Sequence, residues 1–310
     1  MNIEVLLTEA EIAEEFAEAM EARDLPEKFF YWLPLSVKAW RELSGNDSYR
    51  ALDRTWDLVG GRADDLVAGF PPVIPVVSLG AGDGNKDRAL IQAIRRTGRS
   101  VKYFPVDASQ TLLEIACAAA EEDEVEVMGI KADISSPMHV VLASDAAESP
   151  KLYLISGNTL GGFDPMDQIR HIAETMKGGD RLILDAEIYR KEDAAPGTED
   201  ARVAKFAFAP LASLGVQEDD GQIRFESKRD ERHAGMHLIT KYFQAHRDLR
   251  ISVGGQEIAL ARGERVFMNF RYLFTPEAFR WLLKEHAGLQ ITMELFSSDG
   301  AFVTAICSCS

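Results

Sequence analysis

Apolar and polar positions change their spacing three times along this chain. From Glu9 to Ala22 apolar residues recur every three to four positions among acidic ones, the stripe of an amphipathic helix. Pro26 to Trp32 and Leu35 to Leu43 add an aromatic-rich cluster, so the first 70 residues read as helical. Leu66 to Pro75, with its prolines, reads as a connector. From Val76 short apolar runs alternate with helical stretches: Val76–Leu79, Val101–Val106, Glu124–Ile130, Lys151–Ser156 and Arg181–Asp185. Strands alternating with helices predict βαβ units and a doubly wound α/β sheet. Lys191 to Asp200 reads as a charged surface loop. After a helix from Ala201 to Leu214 come paired alternating runs, Gln222–Glu231, Ala234–Phe243, Arg250–Val253 and Ile258–Phe270, with Glu218-Asp219-Asp220-Gly221 as a hairpin-like turn. Thr275-Pro276-Glu277 has the chemistry of a helix start and leads into a helix from Ala278 to Ala287. Leu289–Phe296 and Ala301–Cys307 form a terminal strand pair able to complete the main sheet.

These shifts divide the chain into a helical part (1–70), a nucleoside-binding core (71–200), an inserted region (201–288) and the terminal strand pair (289–310). Candidate chemistry gathers where core strands end. Val76 to Leu79 runs into Gly80-Ala81-Gly82-Asp83-Gly84, whose small residues let backbone amides approach a ligand. The next strand ends at Asp107-Ala108, an acid placed to hold two ribose hydroxyls. The glycine order is not that of a dinucleotide fingerprint, and Asp83 inside the loop would repel a pyrophosphate. An acid there suits a cationic nucleoside, and S-adenosyl-L-methionine carries a sulfonium and an ammonium without phosphate. Asp133 and Ile134 follow a third strand, placed for the adenine amino group and ring, or alternatively for a surface turn. Ser156-Gly157-Asn158 opens a glycine-rich segment on which the methionine part of the cofactor and a substrate can meet. Lys86 stands in the first turn after the glycine loop.

The chain resembles the histidine-specific, ergothioneine-pathway type of S-adenosylmethionine-dependent methyltransferase. The resemblance rests on Lys28-Phe-Phe-Tyr31, Leu79 to Lys86, Tyr103-Phe-Pro-Val-Asp107, Ile155 to Gly162, Met236-His-Leu238, Gly263-Glu264 and Arg271 to Thr275. It implies a Rossmann-like class I methyltransferase domain with a second, α+β substrate domain, and a monomer, with a dimer left open. It also implies Lys86 at the cofactor carboxylate, with a solvent-facing position as the alternative, and an acceptor pocket at Tyr31, Tyr49, Met236, Asn269 and Arg271. Three positions depart from the pattern. The histidine enzymes carry an Asn where this chain has Gly162, and a Glu and a Ser where it has Asn269 and Arg271. Arg271 supplies a planar cation suited to a carboxylate or phosphate, or alternatively pairs with Glu264 at the surface. The expected reaction is therefore methylation of a small amine or amino-acid-like acceptor other than histidine. The alternative is another use of the sulfonium, aminobutyrate transfer or internal cyclisation releasing methylthioadenosine.

Charge narrows the partners. The formal net charge is −16, against a nucleic-acid partner that needs Lys and Arg on its phosphates. Cys117, Cys307 and Cys309 have no metal-ligand spacing, and His233 and His237 belong to no fixed-spacing cluster. A surface or packing role is expected of both histidines, with action as a base the alternative for His237. No metal is expected. The first residues lack the parts of a signal peptide and no apolar run reaches membrane-spanning length, so a soluble cytoplasmic protein acting on a small molecule is expected.

Overall fold

The computed structural model describes residues 1–45, 51–190 and 201–309. The N-terminal part contains a short strand β1 (Ile3–Val5) and helices α1 (Glu9–Ala22), α2 (Phe29–Trp32), α3 (Pro34–Ser44), α4 (Ala51–Gly60) and α5 (Ala63–Leu66). Thr8 and Glu11 form a reciprocal capping box that starts α1, and Ile12, Phe16, Ala17 and Met20 make its buried stripe. The core follows as β2 (Val73–Leu79), α6 (Asn85–Arg96), β3 (Ser100–Asp107), α7 (Gln110–Glu122), β4 (Glu126–Val127), β5 (Gly129–Lys131), α8 (Pro137–Asp145), β6 (Leu152–Ile155), α9 (Pro165–Thr175) and β7 (Arg181–Glu187).

The main sheet runs β1-β5-β3-β2-β6-β7-β14-β13, where β13 is Leu289–Phe296 and β14 is Phe302–Cys309. β1 to β7 pair in parallel, while β14 is antiparallel to both neighbours. From β2 the chain winds outward through β3 and β5, then returns to β6 on the other side. That reversal opens a crevice at the C-terminal ends of β2 and β6, where such folds place ligands. β6 is buried along its whole length and β2 nearly so, as helices on both faces of a parallel sheet require.

The second region holds α10 (Ala201–Ser213), β8 (Gly221–Arg229), β9 (Met236–Ala245), β10 (Leu249–Val253), β11 (Gln256–Leu260), β12 (Arg265–Phe274) and α11 (Pro276–Trp281), which continues into a π-helical turn, Leu282–His286. β12, β9 and β8 form an antiparallel sheet, and β10 and β11 a hairpin. This region shares an apolar core with the N-terminal helices: Phe16, Phe29, Phe30 and Trp40 pack with Phe206, Phe243, Val266 and Met268. Backbone bonds tie the two, Leu25 N donating to Phe267 O at 3.0 Å and Phe267 N to Arg23 O at 2.8 Å.

Several elements differ from their expected form. Residues 1–70 include the strand β1, an edge addition too short for a periodic signal. Glu124–Ile130 is two strands, because β4 pairs with β3 for two residues, the strand lapses at Met128, and β5 then pairs with β3 in the same register. Glu218 to Asp220 is a 3-10 turn leading into β8. Gly221 is there for space: a Cβ would lie 2.3 Å from the Phe243 ring. Ile258–Phe270 is divided between β11 and β12. The charged loop 191–200 lies outside the described residues.

Candidate functional site

Four strand ends build one cavity in the crevice. Gly80 and Gly82 adopt φ of +75° and +58°, a conformation that costs glycine nothing. The Gly80 and Ala81 amides donate to Val106 O at 2.9 and 3.1 Å, folding the loop back on β3. A Cβ on Gly80 would lie 2.8 Å from Thr159 Cγ2, so the loop and the 3-10 turn Thr159–Gly162 meet only because that atom is missing. Asp83 accepts from the Asn85 amide and side chain, at 3.2 and 2.7 Å.

Asp107 ends β3 with Oδ2 accepting from Gly82 N at 2.9 Å and Oδ1 from Ser109 N at 2.8 Å. Burial pushes its carboxyl up to about 6 in spite of these donors. Asp133 accepts from the Ser135 amide and hydroxyl on Oδ1, at 2.8 and 2.6 Å. Its Oδ2 accepts from Lys28 Nζ at 2.7 Å. Burial raises the Asp133 carboxyl, but the Lys28 ammonium and the Ser135 donors outweigh it and hold the group below its ordinary value. Lys28 also pairs with Glu15.

Asp185, at the end of β7, faces the turn after β6. It takes Trp56 Nε1 at 2.6 Å, Gly157 N at 2.8 Å and Asn158 N at 2.6 Å. It thereby fixes Gly157 and Asn158 in the left-handed region, at φ +83° and +57°. Asn158 Oδ1 accepts from Glu187 N at 3.1 Å, so its side chain braces β7.

Gly80, Ala81, Gly82, Lys86, Asp107, Ala108, Asp133, Ile134, Ser156, Gly157 and Asn158, the residues expected at the cofactor, all line this one cavity. Of the expected acceptor residues Tyr31 lines it as well. Tyr49 lies outside the described residues. Met236 is 0% exposed, packed in the core beneath the main sheet, and does not line the cavity. Asn269 and Arg271 do not line it either. Asn269 sits at a β-bulge in β12 with φ +71° and a buried Nδ2 that has no hydrogen-bond partner. Arg271 pairs with Glu187, Nε to Oε2 at 3.7 Å, whereas Glu264 pairs with Arg23 at 2.7 Å. Of the two expectations for Arg271, the pairing with Glu264 thus gives way to a carboxylate on β7.

Sequence reasoning missed Glu27, Trp40, Thr159 and Phe163, which also line the cavity. Trp40 covers the glycine loop, its ring 3.3 Å from where a Cβ on Gly82 would stand. These residues come from helices and turns whose apolar periodicity shows a buried face without showing what it covers. The two histidines pack on aromatic rings: His237 stacks on Tyr189 at 3.5 Å and His233 on Trp281 at 4.5 Å. Among the described residues no cluster of His, Cys, Asp or Glu is placed to hold a metal ion, and no helix is long and apolar enough to cross a membrane.

The chain has relatives of known name and fold. The chain is similar to the N-methyltransferase fsqC of Aspergillus fumigatus, 20% identical over 255 residues that cover 79% of this chain and 69% of that protein. It is 22% identical to the histidine N-alpha-methyltransferase of Mycobacterium tuberculosis, over 83% of this chain and 81% of that one. Among solved structures, an S-adenosylmethionine-dependent methyltransferase from Clostridium acetobutylicum aligns with a TM-score of 0.50 at 12% identity. That alignment covers 88% of this chain and 99% of that one and shows a shared fold. Residues 8–309 match the family described as histidine-specific methyltransferase, SAM-dependent, and the chain belongs to that family of S-adenosylmethionine-using enzymes.

Proposed function

We propose that this methyltransferase N-methylates a small amine or amino-acid-like acceptor other than histidine. The observation that carries this reading is at Gly162, where the resembling histidine enzymes carry an Asn. A Cβ there would lie 3.0 Å from Cδ of Glu27 and 3.2 Å from its Oε1, so the space of that Asn belongs to a carboxylate. A site that grips its substrate through buried hydrogen bonds rejects molecules that leave those groups unpaired. Relatives named as N-methyltransferases, fsqC and the 4-dimethylallyltryptophan N-methyltransferase easF of Epichloe festucae, support nitrogen as the nucleophile.

The cavity suits S-adenosylmethionine. Gly80 and Gly82 leave the room that a side chain would fill, and Asp107 is a buried acceptor that burial raises in spite of its backbone donors. In this reading Asp107 holds the ribose hydroxyls, Ile134 and Asp133 meet adenine, and Ser156 to Asn158 with Lys86 face the methionine part. When bound, the cofactor would supply an electrophilic methyl group: once the acceptor ammonium has given up a proton, its lone pair forms the N–C bond as the S–C bond breaks and S-adenosylhomocysteine leaves. The chain's part is positioning: holding the nucleophile near contact with the methyl carbon supplies much of the rate. Tyr31, Trp40 and Phe163 wall the cavity.

The test is incubation with S-adenosylmethionine and a panel of amines and amino acids, histidine included, with mass detection of sulfur and nitrogen products. S-adenosylhomocysteine together with an N-methylated amine other than histidine is expected. Methylthioadenosine as the enzymatic product, or histidine as the preferred acceptor, overturns the reading.

A further inference from the structure

Four carboxylates line the cavity, and three have donors on both oxygens. Asp83 is closed by Asn85, Asp107 by Gly82 and Ser109, and Asp133 by Ser135 and Lys28. Glu27 differs. Its Oε1 accepts from the Tyr31 hydroxyl at 2.7 Å, while Oε2 is shut off from solvent and has no hydrogen-bond partner. A buried acceptor without a donor is costly, because its water has been lost and nothing replaces it. Glu27 also lines the cavity, where a ligand can supply the missing donor.

The surroundings say what kind of donor. Tyr31 packs edge-on against Trp40 at 6.2 Å and tilted against Phe206 at 5.4 Å, and Phe163 lines the same cavity. A carboxylate within an aromatic wall is the chemistry that receives an organic ammonium, by charge-assisted hydrogen bonding and attraction to ring faces. We propose that Glu27 receives the cationic amine of the acceptor, carried on an aromatic body that seats against Tyr31, Trp40 and Phe163. This rests on the amine-methylating reading above and narrows it to an arylalkylamine class. Gly162 is part of the device, since its missing side chain is what lets the Glu27 carboxylate lie there. Lys241, from β9, acts on Glu27 through space and favours the ionised form, but burial outweighs it and raises the carboxyl above its usual range. An ammonium at Oε2 reverses that penalty.

Calorimetry on the protein saturated with S-adenosylhomocysteine tests this without turnover. The probes are tryptamine and phenethylamine, each against the neutral alcohol of the same skeleton. The wild type is expected to prefer the amines by about tenfold or more, the scale of one charge-assisted hydrogen bond. Glu27→Gln, nearly the same shape, should erase that preference while keeping its affinity for S-adenosylhomocysteine. Gly162→Ala, which pushes a methyl group against the Glu27 carboxylate, should weaken it too. Amine preference surviving in Glu27→Gln, or absent from the wild type, overturns the assignment while leaving methyl transfer intact. Failure of the wild type to bind S-adenosylhomocysteine overturns both.

Discussion

Asp107 carries two opposed demands on one side chain. Its carboxylate is buried beneath the glycine loop and pushed up to about 6, a cost borne by the ligand-free protein. Hydroxyl donors from a ribose would favour the ionised form, so binding and proton release are linked. Asp107→Ala is expected to weaken S-adenosylmethionine by about tenfold or more, the worth of hydrogen bonds to a charged acceptor. The wild-type affinity should itself fall by about tenfold between roughly pH 7 and pH 5, as protonation removes that acceptor, while the variant stays flat. Calorimetric titration at both pH values checks this, and an unchanged affinity in a folded variant removes Asp107 from the ribose. The effect on folding has the opposite sense. With its folded value above the unfolded 3.8, the Asp107 contribution is present at low pH and lost as pH rises through about 6.

At the scale of elements, α6 and β3 meet through a buried polar contact that no ligand relieves. Tyr103 on β3 donates to Asp87 Oδ2 on α6 at 2.5 Å, Asp87 Oδ1 has no partner, and burial pushes this carboxyl to about 6. Asp87 is again raised above its unfolded value, so ionising it destabilises the fold as pH rises from about 4 through about 6. Asp87→Asn keeps the Tyr103 bond and removes the charge. It should exceed the wild type in stability by up to about 3 kcal/mol at neutral pH, with a smaller gain at pH 5. Denaturant unfolding at the two pH values decides, and a variant no more stable at pH 7.5 ends the argument. Much of this layer was legible in the chain. Glycine loop and strand-tip acids are local signals, so β3 and β6 lie where the pattern put them, and β2 does from Val76 on, its first residues Val73–Pro75 falling in the stretch read as a connector. What pattern does not carry is contact between distant segments. Met236 continues an alternating run, yet its face of β9 turns into the core, and Arg271 meets Glu187 because a bulge at Asn269 resets β12. Glu27 lies in a short polar stretch before the aromatic cluster, and only its approach to Gly162 gives it meaning.

At the scale of the whole molecule, the helical layer and the sheet are joined at the cavity they enclose. Lys28, just ahead of α2, reaches Asp133 beyond β5, with side chains only 13% and 9% exposed. The pair spans the two layers beside the proposed adenine position. Breaking a buried pair by deleting one partner leaves an uncompensated charge, which costs about 3–5 kcal/mol. Lys28→Met is therefore expected to lose stability of that order near neutral pH. The sign with pH follows from Asp133. In the wild type its folded value is held below 3.8, so the pair's contribution is present above that value and is lost as pH falls through the folded one. In the variant the Ser135 donors remain but the ammonium that offset burial is gone, so the Asp133 carboxylate is less favoured than in the wild type and the deficit grows as pH rises and shrinks in acid. Lys28→Met combined with Asp133→Asn should recover most of the loss, because no charge is then left stranded. Ligand linkage supplies the readout at the site. S-adenosylmethionine at about 100 times its dissociation constant should stabilise the wild type by about 2.7 kcal/mol, and the same saturation should stabilise a merely destabilised variant equally. If Lys28 also closes the helical layer over the cofactor, Lys28→Met must reach that stabilisation only at a higher ligand concentration. Thermal unfolding across a ligand series separates the two: parallel displaced curves with an unchanged midpoint concentration assign Lys28 to stability alone, and a shifted midpoint assigns it to closure of the site.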